Sequence, residues 1–282
     1  MTFAELEISS WSEFTGMVAT HRAQGIWIYR GQKQSSWSLS TSLERALARW
    51  NVDLGQAPGI EKQLIRDFER RFRWGDTAHL HSDVLYCLTL MQHHGAPTRL
   101  IDCTYSPYVA AKFAIEDVSL ERALWCFRGN WLSEATIKIV GDEAFRPRAV
   151  DKTQRDESFR PLYMDDSAKL FVNMENPFHL NERLTIQQGL FLCPGDVRSG
   201  LEDNLKAMDG WNLEGNVLKL KLKLDQHNLR EFATELMRMN VSSAVLFPGL
   251  DGFSRTLGDH LFLYRELADF RTGESDFLLP HR

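Results

Sequence analysis

The chain has 282 residues, 43% hydrophobic and 25% charged, proportions that belong to a folded globular protein and exclude a disordered one. Its 33 Lys+Arg stand against 38 Asp+Glu, a formal net charge of -5, so total charge draws it neither to nucleic acid nor to an anionic membrane and leaves only a local basic patch open. The 8 Trp, 17 Phe and 6 Tyr supply bulk for a core that needs no covalent staple.

The opening Met1-Thr-Phe-Ala-Glu-Leu-Glu7 has no basic segment followed by an apolar one. No run approaches the roughly 20 apolar residues of a membrane span, so a cytoplasmic protein without a membrane partner is expected. Ser10-x-x-Glu13 reads as a capping box that starts an amphipathic helix with Phe14, Met17 and Val18 inward, ending near Gln24-Gly25. Gly25-Ile-Trp-Ile-Tyr-Arg-Gly31 is β-branched and aromatic, a buried strand that hands Tyr29 and Arg30 to a loop. From Gly59 to Trp74, Ile60, Leu64, Phe68 and Phe72 share one helical stripe, with Lys62, Arg66, Arg70 and Arg73 largely elsewhere, which predicts a surface helix.

Ser82 to His94 repeats the helical pattern with Leu85, Leu88 and Met91 and stops at Gly95, with Pro97 beyond. Thr98 to Thr104 is an apolar strand, and Ser106-Pro107 caps a helix carrying Val109, Phe113 and Ala114. Strands are predicted at 123–127, 135–140, 184–193, 217–224 and 244–247, and helices at 229–240 and 253–268. The strict alternation at Val217-Leu-Lys-Leu-Lys-Leu-Lys223 predicts one buried face and one lysine-bearing face. The polar stretch 141–167, rich in charge and poor in periodicity, is expected to be a mobile insertion. Without internal repeats, the chain reads as one α+β domain over 1–282 with most strands late.

Polar residues gather in three places: Tyr29-Arg30-Gly31-Gln32, the run from Gln92 to Pro107, and Arg183 to Phe191. Each sits where an apolar element begins or ends, a placement that suits a cleft. An arginine leaving a buried strand can grip carboxylate or phosphate with its fork, and a following glycine lets backbone approach a ligand; the alternative is a structural salt bridge to Asp102 or Glu182. His93 and His94 point about 100° apart on one helix and cannot readily share an ion, and His79 and His81 add no better geometry, so no metal is expected. Cys87, Cys103, Cys126 and Cys193 form no ligand spacing and read as buried thiols. Cys103, beside Asp102 in an apolar strand, is a poor nucleophile because burial disfavours thiolate. If Gln187 and Gln188 are mid-strand they face opposite sides, so one reaches a pocket or both serve edge hydrogen bonding.

Tyr-Arg-Gly-Gln at 29–32, Trp37 with Thr41-Ser42-Leu43, Met-Gln-His-His-Gly-Ala-Pro-Thr-Arg-Leu-Ile-Asp at 91–102, Thr104-x-Ser-Pro-x-x-Ala-Ala-x-Phe-Ala at 104–114 and Gln187-Gln-Gly-Leu-Phe191 together resemble the FRG domain family, named for its Phe/Tyr-Arg-Gly motif. Cys103 stands where that family commonly has tryptophan. The layout also looks like that of ADP-ribosyltransferases, which implies a mixed sheet flanked by helices and NAD as co-substrate. By that resemblance Arg30 holds the NAD pyrophosphate and the Gly31 backbone bonds the nicotinamide amide. Thr104 and Ser106 brace the site, Tyr29, Gln32, His94 and Arg99 complete the cofactor-binding set, and Gln187 or Gln188 sits near the nicotinamide ribose. Active transferases mostly carry glutamate in that third motif. A glutamine bonds a ribose hydroxyl without supplying charge, so Asp102 is the expected source of negative charge. The implied function is an NAD-dependent mono-ADP-ribosyltransferase, a bacterial toxin or anti-phage effector modifying nucleic acid or protein. The other reading is a non-catalytic nucleotide-binding or interaction module.

Overall fold

The computed structural model describes residues 2–71, 83–116, 121–144, 154–165, 169–178 and 180–259. Seven strands, β1 (Ala4–Ile8), β2 (Trp27–Gln32), β3 (Ile101–Thr104), β4 (Glu121–Arg128), β5 (Val172–Glu175), β6 (Gly189–Pro194) and β7 (Val217–Lys223), form one mixed sheet in the order β1-β7-β4-β2-β3-β6-β5. Only β1 and β7 run parallel; every other neighbouring pair is antiparallel.

The alternation of β7 does what its pattern predicts. Leu218, Leu220 and Leu222 are buried, while on the alternate face Lys219 lies half-buried over Trp125, Lys221 pairs with Glu5 at 2.6 Å and Lys223 with Glu7 at 2.6 Å. Such exposed pairs fix register more than they stabilise. Their partner strand β1 is an element the sequence reading missed.

Because side chains alternate across a strand, the two faces of the sheet carry separate cores. Leu124, Cys126, Leu218 and Leu220 pack under α1 (Trp11–Gln24), α5 (Pro107–Ala114) and the helix Gln226–Arg238, with Phe14 and Phe232 between them. On the other face Trp125 and Phe127 meet α4 (Val84–His93), α6 (Gly129–Val140) and the helices Gln154–Tyr163 and Leu201–Lys206. A satellite core of Leu43, Leu47, Ala57 and Val197 joins α2 (Ser42–Arg49) to α3 (Ala57–Arg71).

Several predicted elements stand as read. Ser10 caps α1, accepting from the Glu13 amide, while the Glu13 carboxylate reaches back to the amide of Ser9. Ser106 caps α5 with Pro107 in its first turn, and α4 stops where Gly95 takes φ +80°. Others differ. The run 135–140, expected as a strand, is the second half of α6, whose buried Trp131, Leu132, Ala135 and Thr136 follow helical spacing. The predicted strand 244–247 is the helix Ser243–Leu246, and 184–188 holds the end of the helix Glu182–Ile186 and a turn, so β6 begins only at Gly189. Four of the seven strands precede residue 129, so strands are not concentrated late.

Within 141–167, the helix Gln154–Tyr163 buries Phe159, Leu162 and Tyr163 in the main core. Residues 145–153 and 166–167 of that stretch lie outside the described residues, as do Phe72, Arg73, Trp74, His79, His81, Ser82 and the part of the predicted last helix beyond 259.

The pairing of the central strands creates an opening in the sheet. β2 pairs with β4 along its whole length, and β3 pairs with β6 along its whole length. Between β2 and β3 there is a single bridge, Tyr29 to Thr104. Beyond it Arg30, Gly31 and Gln32 part from Cys103, Asp102 and Ile101, and the sheet splits.

Candidate functional site

The split opens into a cavity of about 570 Å³. Its floor comes from both diverging strands: Tyr29 to Gln32 on one side, Asp102 to Thr104 on the other. The loop 33–41 contributes Lys33, Trp37, Ser38 and Ser40, α2 contributes Arg45, and α5 contributes Phe113, followed by Glu116. Arg183 and Gln187 close the far side.

The loop is held from several directions. Gln32 Nε2 donates to the carbonyls of Trp37 and Ser38 (3.3 and 3.2 Å), while Gln32 Oε1 accepts from Trp125 Nε1 (2.7 Å). Lys219 Nζ donates to the Ser35 carbonyl, and the Leu39 amide donates to Glu202. Gln32 is therefore buried and fully engaged in building the wall, which leaves Trp37, 48% exposed, presented to the opening.

Arg30 spans the split, its Nη1 donating at 2.8 Å to the backbone carbonyl of Asp102. Its partner is thus neither the Asp102 carboxylate nor Glu182. The Asp102 carboxylate is oriented from behind by Gln92, whose Nε2 donates to Oδ2 at 3.0 Å while its Oε1 accepts from Ser42 and Thr98. Lys33 and Glu116 form an ion pair at 3.4 Å. Arg183 sits over the Phe247 ring, its Cζ 4.7 Å from the centroid. Arg45 donates to the Ser40 carbonyl. Partly open to solvent, Arg45 still holds its proton less firmly than an ordinary arginine, first because the cleft wall strips water from it and then because Arg30 repels it.

Thr104 ties the strands together, its Oγ1 donating to the Gln187 carbonyl (2.7 Å) and accepting from the Ser106 amide (2.9 Å). Gln187 is buried and its Nε2 donates to the Leu246 carbonyl at 2.9 Å. Gln188 takes φ +48°, is exposed and does not line the cavity. The two glutamines diverge because a turn, not strand alternation, separates them.

Tyr29 turns to the opposite face, where its hydroxyl meets His21 Nδ1 at 3.2 Å and burial raises its pKa. Gly31 serves packing: a Cβ there would stand 2.0 Å from the Ala110 carbonyl oxygen and 2.8 Å from the Ala114 amide, so only glycine lets α5 lie against β2. The expected close approach is that of a helix.

Arg99 lies away from the cleft. It is buried and forked onto the carboxylate of Glu61, itself wholly buried in α3, and also donates to the Tyr163 carbonyl at 2.6 Å. His94 is exposed at the end of α4, packed near Phe68 and His93, and does not reach the cavity; Ser106 acts as the α5 cap. Among the described residues no group of three His, Cys, Asp or Glu side chains is arranged to hold a metal. Cys103 lines the floor, but burial pushes its thiol up to about 12, which removes it as a nucleophile. All four cysteines are buried and none forms a disulfide.

Sequence reasoning missed Arg45, Trp37 as a cavity wall, Lys33 with Glu116, and Arg183. A signal existed for two of them. The cap Thr41-Ser-Leu-Glu44 starts a helix one short loop after the first motif, which lets Arg45 return toward it, and Arg183 opens the third polar cluster.

The described residues include no helix long and apolar enough to cross a membrane. No curated protein and no solved structure matches the chain. The family model of the FRG domain matches residues 25–122, a stretch that holds β2, the loop 33–41, α2 and β3, and so most of the wall of the cleft. Over residues 25–122, then, the chain carries an FRG domain.

Proposed function

We propose that the cleft takes NAD and that the protein is an NAD-dependent mono-ADP-ribosyltransferase. The carrying observation is the split between β2 and β3, where Arg30 and three further cations line a cavity that Asp102 also lines. Its volume of about 570 Å³ suits a small-molecule ligand, and the excess of cations suits phosphates.

In the transfer the bond between the nicotinamide nitrogen and the ribose C1′ breaks, nicotinamide leaves with the electron pair, and positive charge develops on the ribose. An acceptor nucleophile of nucleic acid or protein then bonds C1′ and loses its proton. Arg30 orients the phosphates. Asp102, fixed by Gln92, places negative charge where it favours the transition state over the ground state.

A second reading, a non-catalytic nucleotide-binding module, is favoured by one specific observation: the third motif offers no acid, with the Gln187 amide bonded to the Leu246 carbonyl and Gln188 turned to solvent. Nicotinamide release by the full chain, with nucleic acid and protein acceptors present, separates the two. Asp102→Asn should lower turnover about 100-fold or more while NAD affinity stays near wild type. Arg30→Lys should lose NAD affinity despite its charge, because a point charge lacks the planar fork. Full activity in Asp102→Asn refutes the assignment of the charge. Wild type that binds NAD but releases no nicotinamide supports the second reading, and wild type that does neither refutes both.

A further inference from the structure

Four cations, Arg30, Lys33, Arg45 and Arg183, line the cleft with two acidic residues, Asp102 and Glu116. Lys33 is paired with Glu116 and Arg183 sits over Phe247, so both have neighbours that occupy them. Arg30 and Arg45 differ. Each gives one hydrogen bond to a backbone carbonyl, Arg30 to Asp102 and Arg45 to Ser40, and among the described residues neither has an ion pair. A guanidinium has five N–H donors in a fixed plane, so each fork keeps most of its donors for something else. The two belong to different elements, β2 and α2, and lie near enough for the charge of Arg30 to disfavour that of Arg45. Two like charges held on separate supports at one opening repel each other, a cost that Glu44 and the Asp102 carboxylate offset only in part and that a bridging anion would relieve.

Beside them Trp37, its backbone carbonyl held by Gln32, lines the cavity as a residue 48% exposed, so its indole is available to a flat partner.

We propose that Arg30 and Arg45 form a two-guanidinium clamp for the adjacent phosphates of a nucleoside diphosphate group, and that Trp37 is the platform on which its base stacks. This deepens the reading that the cleft takes a nucleotide and rests on it. Arg45 is the new element of recognition, supplied by a helix outside the Tyr-Arg-Gly motif. The clamp makes the site specific for diphosphate over monophosphate or nucleoside.

The test is calorimetric titration of the full chain with inorganic pyrophosphate, ADP, AMP and adenosine. Arg45→Gln removes the charge and keeps a donor for the Ser40 carbonyl, so the loop stays tied, and a thermal melt checks that it does. Arg45→Gln should weaken pyrophosphate and ADP alike, by about 10- to 100-fold, and leave adenosine unchanged. Trp37→Ala should weaken ADP by about 5- to 100-fold and leave pyrophosphate unchanged. ADP should bind more tightly than AMP to wild type, with the gap closing in Arg45→Gln. Wild-type affinity for pyrophosphate and ADP in a folded Arg45→Gln protein overturns the clamp, as does wild type that binds neither ligand. Wild type that binds both but neither binds nor cleaves NAD leaves the clamp standing and refutes the NAD reading alone.

Discussion

Replacing Gly31 by alanine separates two meanings of the same glycine. If it exists to admit a ligand, the substitution costs binding; if it exists to admit α5, it costs the fold. The added Cβ would lie 2.0 Å from the Ala110 carbonyl oxygen, 2.8 Å from the Ala114 amide nitrogen and 3.0 Å from Phe113 Cβ. The two nearest obstacles are backbone, so no rotamer change relieves them. The helix must move about 1.4 Å to restore ordinary contact, while Val109, Ala110, Ala111 and Ala114 lose their packing. Overpacking of this kind costs about 1–3 kcal/mol, and an unyielding backbone puts Gly31→Ala at the upper end, about 3 kcal/mol. For a chain of this size that lowers the melting temperature by about 6 °C or more. Circular-dichroism melts of wild type, Gly31→Ala and Gly215→Ala make the assay, because a Cβ at Gly215 meets nothing within 4 Å and should shift stability by less than about 0.5 kcal/mol. If Gly31→Ala melts with the wild type, the packing argument is wrong.

Glu61→Leu alone should destabilise by about 3–5 kcal/mol in urea titrations by stranding the buried Arg99, whereas Glu61→Leu with Arg99→Met should recover most of that loss. A double variant as unstable as the single one would show that the pair is not an isolated charge couple. Burial also lowers the His21 pKa to about 4, so as pH falls the unfolded chain, with its histidine near 6.5, takes the proton first. Stability from this group is therefore complete above about pH 6.5 and is lost by about 3 kcal/mol on falling through pH 4. His21→Phe, which keeps a ring on Trp27, should flatten that part of the stability profile, and an unchanged slope would rule His21 out.

What could be read in the sequence follows from where local physics decides. Caps at Ser10 and Ser106, the stop at Gly95 and the leucine–lysine alternation of β7 depend on neighbours within a few residues, and they are legible. The runs 135–140 and 244–247 are apolar and short, and periodicity does not tell a buried helix from a strand at that length, so tertiary packing chose. At the site, Arg30, Asp102, Thr104 and Gln187 do converge, although they are up to 157 residues apart in sequence, because polar side chains at strand ends share one opening. Arg99 could not be told from a ligand group by type or spacing. Its partner Glu61 sits on a helix whose charged residues read as a wet face, and only the fold shows that this one points inward.

The divergence of β2 from β3 also bears on how the protein avoids sticking to itself. A strand edge without a neighbour is a template for another chain, and proteins usually guard such edges with charges, bulges or covering loops. Here two raw edges are made in the middle of the sheet and turned toward each other, with the Arg30 guanidinium spanning the gap to the Asp102 carbonyl and the loop 33–41 bolted across one side. Main-chain groups that a small ligand can reach are thereby kept from an invading strand, so the same separation that makes a cleft also shields its own frayed interior from aggregation.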